Sequence, residues 1–219
     1  RHEPGPRRMT AVTLMVLAKA PVPGRVKTRF CPPCTPEQAA VLAEAALADT
    51  LATVAATPVD RRLLVLDGEA GPWLPAGIDV VAQAGGGLDE RLTAAFAGAG
   101  GPALLIGMDT PQVTVDLLQA AAASLLADGT DAVLGPADDG GFWAVGLRRQ
   151  DPAVFLGVPM SRPDTAALQH ARLIARGHRV RLLPVLTDVD DMTAAQAVAH
   201  LVPGSRFATA CRRVTATAA

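Results

Sequence analysis

The sequence predicts an α/β protein with a single Rossmann-like domain, a mostly parallel β-sheet and helices on both faces. Two observations predict this class. Short, almost uninterrupted apolar runs are typical of strands that are buried on both faces. These runs alternate with longer segments of helical pattern, which is typical of parallel sheets. The chain has 219 residues, a length that suits one large α/β domain.

The elements follow one another with recognisable boundaries. The first helix is marked by Thr35 as N-cap, Pro36 at the first helical position and Gln38 completing a capping box. Gly177 is placed to end a later helix as its C′ glycine. The predicted strands cover residues 11–18, 62–66, 78–83, 102–107, 131–135, 142–147 and 179–186. The predicted helices cover residues 35–56, a segment from residue 88, residues 114–127, 164–176 and about 193–201.

Composition excludes several classes of protein. Half of the residues are apolar, and the net charge of −1 argues against a general nucleic-acid binder. No uninterrupted apolar run approaches the roughly 20 residues of a membrane span, and no signal peptide precedes Met9. We expect a cytoplasmic protein without a membrane span. Residues 1–8 are expected to be a disordered leader, residues 9–204 the domain, and residues 205–219, which are polar and rich in Ala and Thr, a frayed tail. The oligomeric state stays open.

Acidic residues follow three of the predicted strands. Asp109 ends one strand, Asp139 with Gly140 and Gly141 follows another, and Asp188 with Asp190 follows the last. In open α/β sheets the ligand lies outside the carboxyl ends of the strands, so these turns could face one crevice. Carboxylates beside a glycine pair suit a divalent metal that carries phosphates. The alternative is ordinary strand-to-loop turns, in which Asp and Gly are common.

A basic loop follows the first strand. Its four cations are Lys19, Arg25, Lys27 and Arg29. Gly24 permits a close approach of the backbone, Arg offers a bidentate fork and Lys a point charge. These features favour a phosphate clamp over a merely solvated loop, because the loop lies where the crevice of the sheet is expected.

Other short motifs give weaker signals. Cys31 and Cys34 have redox or zinc spacing, but only Cys211 remains as a further thiol ligand, and we expect a loop there. The triple glycine at residues 85–87 lacks the dinucleotide-binding pattern, and the sequence contains no Walker A motif.

Four segments together carry a resemblance: LAKAPVPGRVKTRF, GMDTP, LGPADDGGFWAVGL and TDVDD. In this order and spacing they resemble a bacterial family of small glycosyltransferase-like proteins, a domain of unknown function. Some members are labelled arsenosugar-biosynthesis glycosyltransferases, and the family is related to the A-type glycosyltransferases and nucleotidyltransferases. The resemblance covers roughly residues 12–192. It implies the fold of the nucleotide-diphospho-sugar transferases.

The resemblance also implies roles for particular residues. Asp109, Asp190 and Asp188 would hold Mg²⁺ or Mn²⁺. Asp139 and Lys27 are the catalytic candidates, and Asp139 lies in the turn beside the transferred group. The residues expected to bind nucleotide or phosphate are Lys19, Gly24, Arg25, Lys27, Arg29, Gly140 and Gly141.

The sequence also departs from the family pattern. Phe142 and Trp143 replace a Tyr pair, Asp89 replaces a Gly, and residues 159–162 replace the segment Pro-Trp-Ser-Thr. The donor end is therefore kept, and the identity of the acceptor cannot be transferred.

Three functions remain open at this point. The first is glycosyl transfer from a nucleoside-diphosphate sugar to a small acceptor, with the metal neutralising the leaving group. The second is nucleotidyl transfer from an NTP to a phosphorylated small molecule with release of pyrophosphate. The third is a non-catalytic nucleotide-binding module. Prolines occupy much of the loop where a nucleotidyltransferase usually carries glycines, which favours sugar transfer.

Overall fold

The computed structural model describes residues 10–217 and contains seven strands and six α-helices. The strands are β1 (Thr10–Lys19), β2 (Val59–Asp67), β3 (Asp79–Ala82), β4 (Ala103–Gly107), β5 (Ala132–Pro136), β6 (Phe142–Leu147) and β7 (Val180–Leu182). The helices are α1 (Pro36–Ala56), α2 (Leu88–Ala97), α3 (Val115–Leu126), α4 (Thr165–Ala175), α5 (Met192–Leu201) and α6 (Arg206–Thr217). The predicted single α/β domain with a mostly parallel sheet is confirmed.

The strands form one sheet in the order β3-β2-β1-β4-β6-β5-β7. All neighbouring pairs are parallel except those of β6, which runs antiparallel to both β4 and β5. Only residues 137–141 separate β5 from β6, and a connection that short allows a hairpin but no parallel crossover. The start of β6 therefore lies at the same edge of the sheet as the ends of β1, β4 and β5.

Alternate residues of each strand pack on opposite faces, as the period of two requires. On one face, Leu14 and Val16 of β1 join a core with α1 and α3. On the other face, Met15 of β1 joins a core with α2 and with Phe155. Both faces of the sheet are thus covered by helices, which explains why the strands read as continuous apolar runs.

The predicted cap of α1 is confirmed. Thr35 accepts a hydrogen bond from the Gln38 N–H, and the Gln38 side chain accepts one from the Thr35 N–H. This helix has 21 residues and is apolar enough to cross a membrane by length and composition alone, but 56% of its apolar window is buried inside the protein. Burial of that kind is typical of a core helix.

The prediction of a frayed tail at residues 205–219 is wrong for its described part. Residues 206–217 form α6, which packs against α1 and α5 and buries Phe207, Cys211 and Val214. These three residues recur at the spacing of one helix face. Asp49 of α1 accepts hydrogen bonds from the N–H groups of Arg206 and Phe207 at 3.3 and 2.8 Å, which fixes the start of α6. The expected leader at residues 1–8 lies outside the described residues.

The last strand is shorter than predicted, because Pro184 interrupts it. Beyond β7 the chain continues beside β5, where Leu183 donates to the Leu134 carbonyl and Leu186 to the Pro136 carbonyl. Pro184 has no N–H to contribute between them. This irregular pairing carries the following acidic residues to the carboxyl edge of the sheet.

Candidate active site

A cavity of about 630 Å³ opens at the carboxyl edge of the sheet. Its wall comes from the end of β1, the basic loop (residues 19–29), the start of α2, the turns after β4 and β5, residues 160–165 and the late acidic segment. Loops from several strand ends thus meet in one place, as expected for this class of sheet. A cavity of this size suits a small-molecule ligand.

Three carboxylates converge in the cavity. Asp109, Asp188 and Asp190 each offer an oxygen, and these oxygens lie within 4.8 Å of one another. The Val189 N–H donates to the Asp109 carbonyl at 2.9 Å, which ties the late segment to the end of β4. We call these three residues the carboxylate cluster. Asp191 is not part of it, because its side chain caps α5 by accepting from the Ala194 N–H at 2.8 Å.

The convergence changes the protonation of Asp188. The pKa of this carboxyl is raised to about 7, chiefly by burial and next by the charge of Asp109. The Lys27 ammonium lowers the pKa, and the charge of Asp190 adds to the rise. Like-charged carboxylates at this distance repel one another, so a cation stabilises the arrangement.

Lys27 supplies one such cation from the basic loop. Its Nζ lies 2.6 Å from Asp109 Oδ1 and 3.5 Å from Asp190 Oδ1, and it donates to the Val189 carbonyl. Burial lowers the pKa of Lys27, but the charges of Asp109 and Asp190 outweigh burial, so the pKa is raised. The lysine therefore stays charged.

The other basic residues surround this pair. Arg29 Nη1 lies 2.8 Å from Asp190 Oδ2. Lys19 and Arg25 are exposed on the cavity wall, and neither forms an ion pair with another residue among positions 10–217. Free cations on a cavity wall suit an anionic ligand.

Gly24 shapes the loop without lining the cavity. The Arg25 N–H donates to the Val22 carbonyl, with Pro23 and Gly24 between them, and Gly24 has a φ of 75°. This is a type II turn, which requires a positive φ at its third residue. Gly24 thus directs Arg25 towards the cavity.

The turn after β5 presents Asp139. Its carboxylate lines the cavity and accepts from the Gly141 N–H at 2.8 Å. Gly140 does not line the cavity: its N–H donates to the Ala137 carbonyl and its own carbonyl accepts from the Ala166 N–H. With a φ of 89°, and with the Pro163 carbonyl where a Cβ would stand, this position requires glycine for packing. Asp139 is therefore the polar side chain that this turn offers to a ligand.

Gln83 and Arg91 line the cavity and were missing from the predicted site. Gln83 donates to the carbonyls of Ala18 and Val65 at 3.2 and 3.3 Å, and its Oε1 accepts from Arg91 Nη1 at 2.8 Å. Arg91 thereby reaches the wall from α2. Its place one helical turn after the triple glycine was visible in the sequence, but the role of Gln83 depends on the pairing of β2 with β3.

Residues 157–165 form the outer part of the wall, and we call them the 157–165 segment. Ser161 has a φ of 58°, and Arg162 pairs with Asp164 at 2.9 Å. The Gly157 N–H donates to Asp89 Oδ2 at 2.9 Å, so α2 ties down the start of the segment. Met160, Ser161 and Arg162 all line the cavity and were not predicted as site residues.

The cysteines lie behind the site. Cys31 and Cys34 are in a loop, as predicted, and no disulfide links the three thiols of residues 10–217. Burial raises the pKa of Cys34, and it raises the pKa of Cys211 to about 11. Both thiols are therefore protonated and inert at neutral pH.

The carboxylate cluster fits a divalent cation. Carboxylate oxygens are the ligands that Mg²⁺ and Mn²⁺ prefer, and three of them converge here on a partly exposed cavity wall. Burial and the neighbouring carboxylates raise the pKa of Asp188, and a cation nearby favours its charged form. The residues present therefore suit Mg²⁺ or Mn²⁺.

Comparison with solved structures defines the class of protein. A proposed nucleotide-diphospho-sugar transferase from Desulfovibrio desulfuricans G20 is 26% identical, with a TM-score of 0.84 over 96% of this chain and 97% of the other. A CMP:2-keto-3-deoxy-manno-octonic acid synthetase with CTP is 12% identical, with a TM-score of 0.56 over 89% and 99%. Glucosyl-3-phosphoglycerate synthase from Mycobacterium tuberculosis, in complex with Mn²⁺, UDP and phosphoglyceric acid, is 11% identical, with a TM-score of 0.52 over 90% and 78%. The chain has the fold of the nucleotide-diphospho-sugar transferases.

Within that class the family is also defined. Residues 40–162 match the family described as "uncharacterized protein conserved in bacteria (DUF2064)". The match spans more than half of the chain, and the chain belongs to this family. The resemblance drawn from the sequence is therefore confirmed. A search of the curated proteins gives no significant match.

Proposed function

We propose that this protein is a metal-dependent transferase that uses a nucleotide-activated donor, and that it moves a glycosyl group from a nucleoside-diphosphate sugar to a small acceptor. The observation that carries the proposal is the convergence of the carboxylate cluster and the basic loop on one cavity. A module that only binds nucleotides needs cations for the phosphates but has no use for three converging carboxylates. The geometry therefore favours catalysis over binding alone.

In this proposal Asp109, Asp188 and Asp190 hold Mg²⁺ or Mn²⁺. When bound, the ion neutralises the negative charge that develops on the diphosphate leaving group. Lys19 and Arg25 hold phosphate oxygens, since their charged heads are exposed on the wall and lack carboxylate partners among residues 10–217. Arg29 lies beside Asp190 and extends the same basic surface.

Asp139 is the residue that we propose to activate or orient the acceptor. Its carboxylate faces the cavity, and one of its oxygens accepts from the Gly141 N–H at 2.8 Å, which fixes its orientation. A fixed carboxylate can accept a proton from an attacking hydroxyl group or orient the hydroxyls of the sugar. The 157–165 segment completes the wall, and we assign the acceptor to this region.

Nucleotidyl transfer is the second candidate. Both activities use a metal and cations beside phosphates, and both occur among proteins of this fold. In this chain the loop after β1 offers few backbone donors, because Pro21 and Pro23 have no N–H and Arg25 donates to the Val22 carbonyl. A triphosphate would have to be held mainly by side chains. The loop therefore favours the diphosphate donor.

A thermal-shift panel tests the proposal. UDP-, GDP-, CDP- and ADP-sugars are compared with the matching NTPs, each with and without Mn²⁺. At about 100 times the Kd, a specific ligand stabilises the protein by about 2.7 kcal/mol. We expect one sugar nucleotide to stabilise the protein more than its NTP, and only with Mn²⁺. Stronger stabilisation by an NTP, with pyrophosphate released on turnover, would support nucleotidyl transfer instead.

A further inference from the structure

The Lys27 ammonium occupies the position of a cation in the carboxylate cluster. It lies 2.6 Å from Asp109 and 3.5 Å from Asp190, and it also donates to the Val189 carbonyl. Its side chain is only 7% exposed and that of Asp109 is 29% exposed, so water screens the pair only in part. The oxygens that would bind a metal are therefore already in contact with a positive charge.

The backbone holds the lysine in this place. Lys27 has a φ of 47°, in the left-handed region that non-glycine residues rarely adopt. Its carbonyl accepts from the Phe30 N–H, and its Nζ lies 5.8 Å from the centre of the Phe30 ring, which is fully buried. Backbone strain of this kind persists only where the surroundings fix it, and it concentrates at functional sites.

The charges nearly balance without a metal. Lys27 and Arg29 both contact the cluster, so two cations face its three carboxylates. A divalent ion that entered without displacing Lys27 would meet like charge at close range in a partly screened place. Displacing Lys27 without a new partner would leave its ammonium buried and unpaired, which is also unfavourable.

This inference rests on the metal site of the proposed function. We infer that Lys27 is the resident counter-ion of the carboxylate cluster and competes with the divalent ion for Asp109 and Asp190. A diphosphate group that enters with the metal offers the displaced ammonium new oxygen partners. The metal alone therefore binds weakly, and the metal and the diphosphate strengthen each other's binding.

Metal binding without nucleotide gives the first test. Mn²⁺ is titrated into the parent, Lys27→Met and Lys19→Met, and the bound ion is measured by electron paramagnetic resonance. Couplings of this kind typically amount to about 5–150-fold, and we expect Lys27→Met to bind Mn²⁺ at least about fivefold more tightly than the parent. Lys19→Met is the matched control, since Lys19 lines the same cavity but has no carboxylate partner among residues 10–217; its affinity should change by less than about twofold.

A conservative variant guards against loss of folding. Lys27→Gln keeps a donor for the Val189 carbonyl and removes the charge, so it should show the same gain in Mn²⁺ affinity. Mn²⁺ should also raise the Tm of both Lys27 variants more than that of the parent. Equal or weaker Mn²⁺ binding in both variants would overturn the inference, as would an equal gain in Lys19→Met.

The position of the lysine gives an independent readout. The chain contains only two lysines, Lys19 and Lys27, so labelling the Cε carbons with ¹³C gives two NMR signals. Mg²⁺ alone should barely shift the Lys27 signal, while Mg²⁺ with pyrophosphate should shift it clearly. A full shift with Mg²⁺ alone, or no shift with both, would contradict the coupled entry of metal and diphosphate.

Asp109→Asn separates failure of this inference from failure of the proposed function. If this variant binds Mn²⁺ as well as the parent does, the cluster is not the metal site and both proposals fall. If it loses Mn²⁺ while the Lys27 variants gain no affinity, the metal site stands and only the counter-ion role of Lys27 is wrong.

Discussion

The carboxylate cluster and the 157–165 segment hold their charges in different ways. Lys27 and Asp109 are 7% and 29% exposed where they pair with each other, whereas Arg162 and Asp164 are 58% and 48% exposed in their pair. Removing one partner of a buried pair is strongly destabilising, while an exposed pair contributes little. We therefore expect loss of the Lys27–Asp109 pair to destabilise the protein more than loss of the exposed Arg162–Asp164 pair.

The carboxylate cluster is also backed by more buried apolar side chains than the 157–165 segment is. Phe30 and Val189, which neighbour the charged groups of the cluster, belong to an apolar core that includes Phe207 of α6. The 157–165 segment buries Val158 and Thr165, but its residues 161–163 are exposed. Hydrogen bonds, such as that of the Gly157 N–H to Asp89, tie the segment down. This difference matches the proposed division between a constant donor end and a variable acceptor end.

The largest expected effect comes from the core behind the cluster. Phe207 is fully buried among α1, α5 and α6, so Phe207→Ala should destabilise the protein by about 3–5 kcal/mol. Because Val189 shares that core, Mn²⁺ affinity should fall as well. Urea unfolding and Mn²⁺ titration measure the two effects. Leu201→Ala is the control, since Leu201 is 69% exposed and should change stability by less than about 0.5 kcal/mol. Unchanged stability in Phe207→Ala would remove α6 from the support of the site.

The second largest effect should come from replacing a proposed metal ligand. Asp109→Asn keeps the shape of the side chain and removes the charge that faces Lys27 and the proposed metal. We expect Mn²⁺ affinity to fall by about 100-fold or more, since loss of even an outer partner of a metal costs about 10–100-fold. Calorimetric titration measures it. Asp60→Asn, at an exposed position of β2 outside the cavity wall, serves as control. Equal losses in the two variants would indicate a general effect of charge.

The pH dependence of stability and of Mn²⁺ affinity should reveal the raised pKa of Asp188. Its pKa is raised from 3.8 to about 7, so between these values the folded protein holds a proton that the unfolded chain has released. Without metal, stability should therefore fall as the pH rises through this window. Mn²⁺ affinity should rise with pH and level off above about 7, because the metal displaces the proton. Asp188→Asn should flatten the stability profile. A parent whose metal affinity is constant from pH 5 to 8 would contradict this assignment.

The sequence predicted the parts of the site that follow from strand direction. Asp109, Asp139 and Asp190 come after strands whose carboxyl ends must share an edge, and the structure brings all three to one cavity. Their apolar strands were recognisable because burial on both faces leaves no polar position.

Other features depend on long-range contacts that a single sequence does not show. The burial of Lys27 follows from a left-handed backbone and from pairing with residues more than 80 positions away. Helix α6 was missed because its Ala and Thr residues give a weak pattern, while Phe207, Cys211 and Val214 provide a stripe of only three residues. Gln83 and Arg91 meet through one hydrogen bond that depends on where β3 ends. Tertiary contacts, rather than local preference, decide such features.

The smallest effect should come from the tie between α2 and the outer segment. Asp89 lies in the first turn of α2, and its carboxylate accepts from the Gly157 N–H at 2.9 Å, which lowers the pKa of Asp89. Asp89→Ala removes the acceptor, so hydrogen exchange in residues 157–163 should become a few-fold faster, because the segment opens locally. Mn²⁺ affinity should stay as in the parent, since the cluster has its own support. Asp89→Asn retains an oxygen at this position and should restore slow exchange. If Asp89→Ala weakened Mn²⁺ binding as strongly as it loosened the segment, the two regions would be one cooperative unit.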